Sequence, residues 1–176
     1  MQKFILVGAL SCAGVLAGCA AGMGPTGADK AEAIMAPTQG NKVAGKVTFA
    51  KSGEKLMVMA EVSGLTPGLH GFHIHEKGDC SAPDGTSAGG HFNPTGKIHG
   101  SPEHADHHLG DMLQLVADAN GNARQASYIN GVTIGGGGPG DIVGRSVIIH
   151  AAPDDYKTQP TGNSGARQAC GVIVRK

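Results

Sequence analysis

Residues 42–63 read KVAGKVTFAKSGEKLMVMAEVS. In the first half Val43, Gly45, Val47 and Phe49 alternate with Lys42, Ala44, Lys46 and Thr48, and in the second Leu56, Val58, Ala60 and Val62 recur at every other position. A period of two sends successive side chains to opposite faces of an extended chain. Both runs are therefore predicted strands, and Ser52-Gly53 between them predicts the turn of a hairpin. Working outward, further strands are predicted at 69–75, 111–117, 123–129, 142–150 and 171–174. Asn120-Gly121 is a strong hairpin signal between two of them. The chain has 176 residues, with thirty glycines, nine prolines, four Phe, two Tyr and no Trp, which suits frequent turns and short strands. That length favours one domain with a substantial core. The class is all-β, an antiparallel sandwich or barrel.

Lys+Arg and Asp+Glu are both 14, a formal charge of zero. This balance argues against broad electrostatic binding to nucleic acid. Residues 1–19, MQKFILVGALSCAGVLAGC, begin with Lys3 and continue as an apolar run too short and too rich in Gly and Ala for a membrane span. They read as an export signal over 1–18. Leu16-Ala17-Gly18-Cys19 resembles the bacterial lipoprotein cleavage box, in which the cysteine is lipidated. A retained anchor helix and ordinary cleavage to a soluble product are the rivals. Residues 19–41, rich in Ala, Gly, Pro and Thr, read as a flexible tether, and 42–176 as the domain. The expected location is the bacterial periplasm, tethered to a membrane, with Ala20 after Cys19 favouring the outer one. Export leads to an oxidising compartment in which Cys80 and Cys170, the two cysteines of the domain, can pair.

Two long stretches, 76–110 and 151–167, lack periodicity, as functional loops do. The GGGGPG run at 135–140 lacks the Lys-Ser/Thr that a phosphate loop needs and reads as a connection. Nine histidines are present, and histidine is the commonest metal ligand. His73 and His75, two apart on a predicted strand, share one face while Phe72 and Ile74 take the other. His91, His99, His108 and Asp111 offer three imidazoles and a carboxylate, a suitable four-coordinate zinc set. His150 ends an apolar strand, where a histidine viewed alone is more often structural.

At these positions the sequence resembles the Cu/Zn superoxide dismutase family, over about residues 42–176. The motifs are Gly71-Phe72-His73-Ile74-His75-Glu76, Gly90-His91-Phe92-Asn93-Pro94, His99-Gly100, His108-Leu109-Gly110-Asp111, His150 and GNSGARQACGV at 162–172. The resemblance implies an eight-stranded Greek-key β-barrel with two long functional loops. It implies one copper per chain on His73, His75, His91 and His150, one zinc on His91, His99, His108 and Asp111, and His91 as the bridge. It further implies Asp154 as the carboxylate tying a copper ligand to a zinc ligand, Arg167 as the cation that binds superoxide, and His91 as the proton carrier. The implied reaction is dismutation of superoxide to dioxygen and hydrogen peroxide by copper cycling. A Cys80–Cys170 disulfide would pin both the metal loop and Arg167.

Some features depart from the family or stay open. His107 adjoins His108, so a register shift of one is the alternative, although the spacing of three to Asp111 favours His108. His70, His104 and His107 receive no role, and Asp155 reads as a solvated acid. The interval from His150 to Arg167 is shorter than in typical eukaryotic members, and the charges that steer substrate there are mostly missing. Lys157 serves part of that role or is a plain solvated lysine. A homodimer is one expected assembly, its interface left open. The alternative function is a periplasmic copper and zinc buffer, which would keep the ligands but need neither Arg167 nor Asp154.

Overall fold

The computed structural model describes Met1 and residues 30–176. Nine strands appear among them: β1 (Lys30–Pro37), β2 (Ala44–Ser52), β3 (Lys55–Ser63), β4 (Gly68–His70), β5 (Phe72–His75), β6 (Leu115–Ala117), β7 (Ala123–Ile129), β8 (Ser146–His150) and β9 (Arg167–Arg175). Seven form a curled antiparallel sheet in the order β5-β8-β9-β1-β2-β3-β7, and β4 pairs with β6. The β1-β2-β3 meander is flanked by strands that return from far along the chain, β9 beside β1 and β7 beside β3. This is Greek-key connectivity. The β2–β3 hairpin pairs from Ala44↔Ser63 to Ser52↔Lys55, as the opening stretch predicts. Val47, Phe49, Val58 and Ala60 are buried in one core cluster with Phe72, Ile74, Ile149 and Ile173.

The chain departs from the predicted strands in three places. Residues 30–37, assigned to the tether, are a strand paired on both sides, with Ala31, Ala33 and Met35 buried. The period of two is present, but two of its inward positions are alanines. These fit the space between neighbouring strands while carrying little hydrophobic signal. The domain therefore starts by Lys30 and not at Lys42. Residues 2–29, which hold the rest of the predicted signal, Cys19 and the first part of the predicted tether, lie outside the described residues.

The predicted strand 69–75 is two strands separated at Gly71, whose carbonyl accepts His150 N–H (2.9 Å) and whose N–H donates to the Ala152 carbonyl (2.9 Å). The chain there crosses from the β4–β6 pair to the β5–β8 pair. This division and the unpredicted β1 raise the strand count to nine. Asn120-Gly121 does make a tight turn, with Gly121 N–H donating to the Asp118 carbonyl (3.0 Å). It does not make a paired hairpin, because β6 pairs with β4 and β7 with β3. The 135–140 loop is closed by Asp141, whose carboxylate accepts the N–H groups of Gly135 (2.9 Å) and Gly137 (2.9 Å). Those amides are turned to the protein's own carboxylate.

Candidate metal centre

Strands β5 and β8 pair with Phe72↔Ile149 and His75↔Ser146 in register. The alternation of each strand divides its side chains. Phe72, Ile74, Val147 and Ile149 join the core, and His73, His75 and His150 take the other face, as the His-x-His spacing predicts. The long loop is laid onto β5 by its backbone. His91 bridges to His75 and Asp111 to His73, while Ile74 N–H donates to the Gly110 carbonyl (2.9 Å) and Phe92 N–H to the Ile74 carbonyl (2.8 Å). A Cβ on Gly110 would collide with the Ile74 carbonyl, so this approach requires glycine.

The side chains converge in two sets that share His91: His73, His75, His91 and His150, and His91, His99, His108 and Asp111. Within each set one ligand atom per residue lies within 4.8 Å of all the others, and every residue is buried. One nitrogen of most rings is fixed by protein. His73 Nε2–H donates to Asp154 Oδ2 (2.7 Å), His75 Nδ1–H to the Gly89 carbonyl (2.9 Å), His150 Nδ1–H to the Gly165 carbonyl (3.1 Å) and His99 Nε2–H to Asp154 Oδ1 (2.9 Å). The opposite nitrogens are buried without a hydrogen-bond partner: Nδ1 of His73, and Nε2 of His75, His91 and His150. In the second set Nδ1 of His91, His99 and His108 lie 2.8, 3.1 and 3.5 Å from Asp111 Oδ1. Asp111 Oδ2 is held by the N–H groups of His108 (2.9 Å) and Gly100 (3.2 Å). Buried polar atoms are normally paired, so nitrogens aimed at one another fit metal ions. Fixing the outer nitrogen sets ring orientation and tautomer.

The electrostatics differ between the sets. Burial disfavours charge on His73 and lowers it, and drives His75 well below the usual imidazole range. Burial, reinforced by neighbouring rings, lowers His150 to about 3. His91 is lowered to about 4, burial outweighing its bond to Asp111. These rings are neutral near pH 7, as ligation needs. On the other side burial opposes charge on His99, but the Asp111 and Asp154 carboxylates outweigh it and raise the ring to about 9. Asp111 and Asp154 resist the upward push of burial and are held far below the usual carboxylate range by the histidines around them.

Asp154 joins the two sets directly, one oxygen on His73 and the other on His99. Gly162 makes this possible, since a Cβ there would collide with Asp154 Oδ1. Arg167 lies opposite His150 where β8 and β9 shift register. Gln168 is the extra residue of that bulge, and bulges re-aim neighbouring side chains. The Arg167 guanidinium is half-buried and donates to the carbonyls of Gly85 (2.7 Å) and Gly89 (2.7 Å). Gly89 also accepts from His75. Cys80 and Cys170 are joined in a disulfide with a Cα–Cα distance of 5.7 Å, tying the loop to β9.

His108 enters the cluster, whereas the His107 ring turns back to the His108 carbonyl (2.6 Å). His104 and Lys157 are exposed. Three further residues support the centre without any signal in the sequence. His70 is buried, its Nδ1 and Nε2 lying 2.8 Å from the carbonyl oxygens of His150 and Thr66. Gln159 accepts His99 N–H (2.9 Å) and donates to the His99 carbonyl (2.9 Å). Gln114 accepts Asp154 N–H (2.8 Å). No local motif marks them, since His150, His99 and Asp154, the site residues they reach, lie forty or more residues away.

Comparison with known proteins agrees with this geometry. Residues 43–173 match the family model described as copper/zinc superoxide dismutase (SODC). The chain is 42% identical over 163 residues to the extracellular superoxide dismutase [Cu-Zn] of Onchocerca volvulus, covering 86% of this chain and 79% of the relative. It is 43% identical over 151 residues to superoxide dismutase [Cu-Zn] 2 of Brassica juncea, covering 82% and 96%. It is 43% identical over 137 residues to the superoxide dismutase [Cu-Zn] of Caulobacter vibrioides, covering 75% and 79%. Among solved structures it resembles the clock protein EA4, with a TM-score of 0.77 and 37% identity over 87% of this chain and 98% of that one. The two histidine clusters, the barrel that carries them and these relatives together place the chain in the copper/zinc superoxide dismutase family.

Proposed function

We propose that His73, His75, His91 and His150 hold copper, that His91, His99, His108 and Asp111 hold zinc, and that Arg167 receives the substrate anion. Family membership makes the chain an oxidoreductase that dismutates superoxide with copper and zinc. The observation that carries the residue assignment is the set of buried imidazole nitrogens with no protein partner, aimed into two cups that share one ring. The all-imidazole cup suits copper, and the cup with a carboxylate suits zinc.

Bound copper supplies the one-electron chemistry that oxidises one superoxide to dioxygen and reduces another to hydrogen peroxide, which zinc, without accessible redox chemistry, cannot supply. His91 has Nδ1 turned to the zinc cup and Nε2 to the copper cup. Nε2 is therefore the atom at which a proton for the product is held. Asp154 fixes His73 and His99 so that the cups keep their relative place. The Arg167 guanidinium stays charged at working pH, and Arg167 pairs with His150 across the β8–β9 register shift. Its two bonds to loop carbonyls fix its direction, and a fixed cation raises the local concentration of a small anion.

The domain over residues 30–176 follows, in this reading, a signal of 1–18 and a short tether from Cys19. The protein is exported to the bacterial periplasm and anchored by a lipid on Cys19, to the outer membrane in preference to the inner. An extracellular and a bacterial relative and the disulfide support export to an oxidising compartment. The mass of the mature N-terminus tests the anchor. A lipidated Cys19 is expected, and any other first residue rejects it.

Superoxide consumption by the copper- and zinc-loaded protein tests the function. Many turnovers per chain are expected, and consumption that stops after one equivalent of copper would mark a metal buffer. Arg167→Ala is expected to cut turnover about 10–100-fold with both metals retained. An unchanged rate would remove Arg167 from the mechanism.

A further inference from the structure

Tyr156 has a positive φ of 55°, which among the described non-glycine residues only Asn163 shares. A bulky residue seldom adopts this conformation, and such outliers concentrate where geometry serves a site. The reversal at Tyr156 brings two groups to bear. Its backbone N–H donates to Asp154 Oδ1 (2.7 Å), and its phenol oxygen accepts the backbone N–H of Gln114 (3.1 Å). The Gln114 side chain then closes a ring by accepting Asp154 N–H at Oε1 (2.8 Å). Gln114 is fixed in turn to β7, where Gln125 Nε2 donates to its carbonyl (2.9 Å). The ring contains no metal ligand, yet it grips the carboxylate that orients two of them.

The two oxygens of Asp154 are not equivalent in this respect. Oδ1 is shared by Tyr156 N–H and His99 Nε2, while Oδ2 takes His73. The His73 backbone is held by the β5–β8 ladder, so Asp154 has only its ring to orient. His99 belongs to no strand. It depends on Asp154 for its ring and on Gln159 for its backbone. A loosened Asp154 therefore disturbs His99 more than His73.

We propose that Tyr156 is a positioning residue for the zinc cup, acting through Gln114 and Asp154 to hold His99; this rests on the zinc assignment made above. Tyr156→Phe removes the phenol oxygen and leaves the Gln114 amide without its partner. Zinc affinity, measured by chelator competition on the intact protein, is expected to fall about tenfold, the lower end of the outer-shell range. Copper affinity is expected to stay within about twofold, well below that range. In metal-free protein the Gln114 amide is expected to exchange hydrogen faster once its acceptor is lost. Tyr156→Gly relieves the positive φ and also lacks the phenol, so it should lose zinc affinity as Tyr156→Phe does. Tyr128→Phe, exposed on β7, should change nothing.

Unchanged zinc affinity or an unchanged Gln114 exchange rate in Tyr156→Phe overturns the proposal. Equal losses at zinc and copper with a lowered melting temperature overturn it too, since they describe general loosening. If the unaltered protein itself fails to bind zinc, the zinc assignment falls and this inference with it. If it binds zinc and Tyr156→Phe binds as well, only this inference falls.

Discussion

The two cups proposed for copper and zinc share His91 and are otherwise built in different ways. The copper cup is assembled on strands: His73 and His75 lie on β5 and His150 ends β8, with their faces set by the pairing of those strands. The zinc cup is assembled on the long loop, where His99 and His108 belong to no strand and Asp111 touches β5 through an isolated bridge. Burial keeps the copper cup neutral, whereas two carboxylates keep a proton on the zinc cup until a metal displaces it. The copper cup is thus a product of the barrel. The cup proposed for zinc is a product of contacts among loops.

The largest expected asymmetry comes from removing the zinc cup's carboxylate. Asp111→Asn should lower zinc affinity by more than about 100-fold, beyond the range of outer-shell changes. Copper binding should change far less, because Asp111 is no part of that cup. Equal losses at both cups, read by competition with a chelator, would break the division. Asp154→Asn comes next, with zinc affinity expected to fall about 10–100-fold. A smaller loss at copper is expected, for His73 is still held by β5. A larger loss at copper than at zinc would contradict the view that strands secure His73.

The disulfide sharpens the same contrast. It closes a separation of 90 residues, which in the loop-entropy model is worth about 4–5 kcal/mol. Replacing both cysteines by serine should lower unfolding free energy by about that amount and loosen the start of the metal loop while leaving the β5–β8 pairing intact. Denaturant unfolding reads the first, and hydrogen exchange of 77–91 against 72–75 reads the second. Uniform exchange would show that the loop is not a separate unit.

The smallest effect is the pH profile of the metal-free protein, where the cups should act at opposite ends. His91 and His150 lie at about 4 and about 3 against about 6.5 in an unfolded chain. Each binds a proton more readily unfolded than folded, so stability is full above about 6.5 and declines as pH falls toward 4. His99, raised to about 9, works the other way. Its contribution is complete below about 6.5 and is lost as pH rises through 9. Denaturant midpoints should therefore peak near neutral pH. A profile flat from 6.5 to 9 would contradict the proton held on His99.

The sequence showed the strand-borne part of this arrangement more readily than the loop-borne part. His73 and His75 declare a shared face by their spacing, and the β2–β3 hairpin declares itself by a clean period of two. His91, His108 and Asp111 stand in short motifs that the family resemblance picks out. The residues that support them do not. Gln114, Gln159 and His70 reach Asp154, His99 and His150, forty to eighty positions away, and a single long-range hydrogen bond leaves no periodic trace. Strand β1 went unseen for a different reason. Its inward positions are mostly alanines, which satisfy a tight space between two strands but look like linker by composition.

Metal content and superoxide turnover measured on the same preparation test the central claim most directly. One copper and one zinc per chain are expected, with turnover rising in proportion to copper occupancy. Zinc alone after growth with added copper, or turnover that does not follow copper, would contradict the assignment of the two cups.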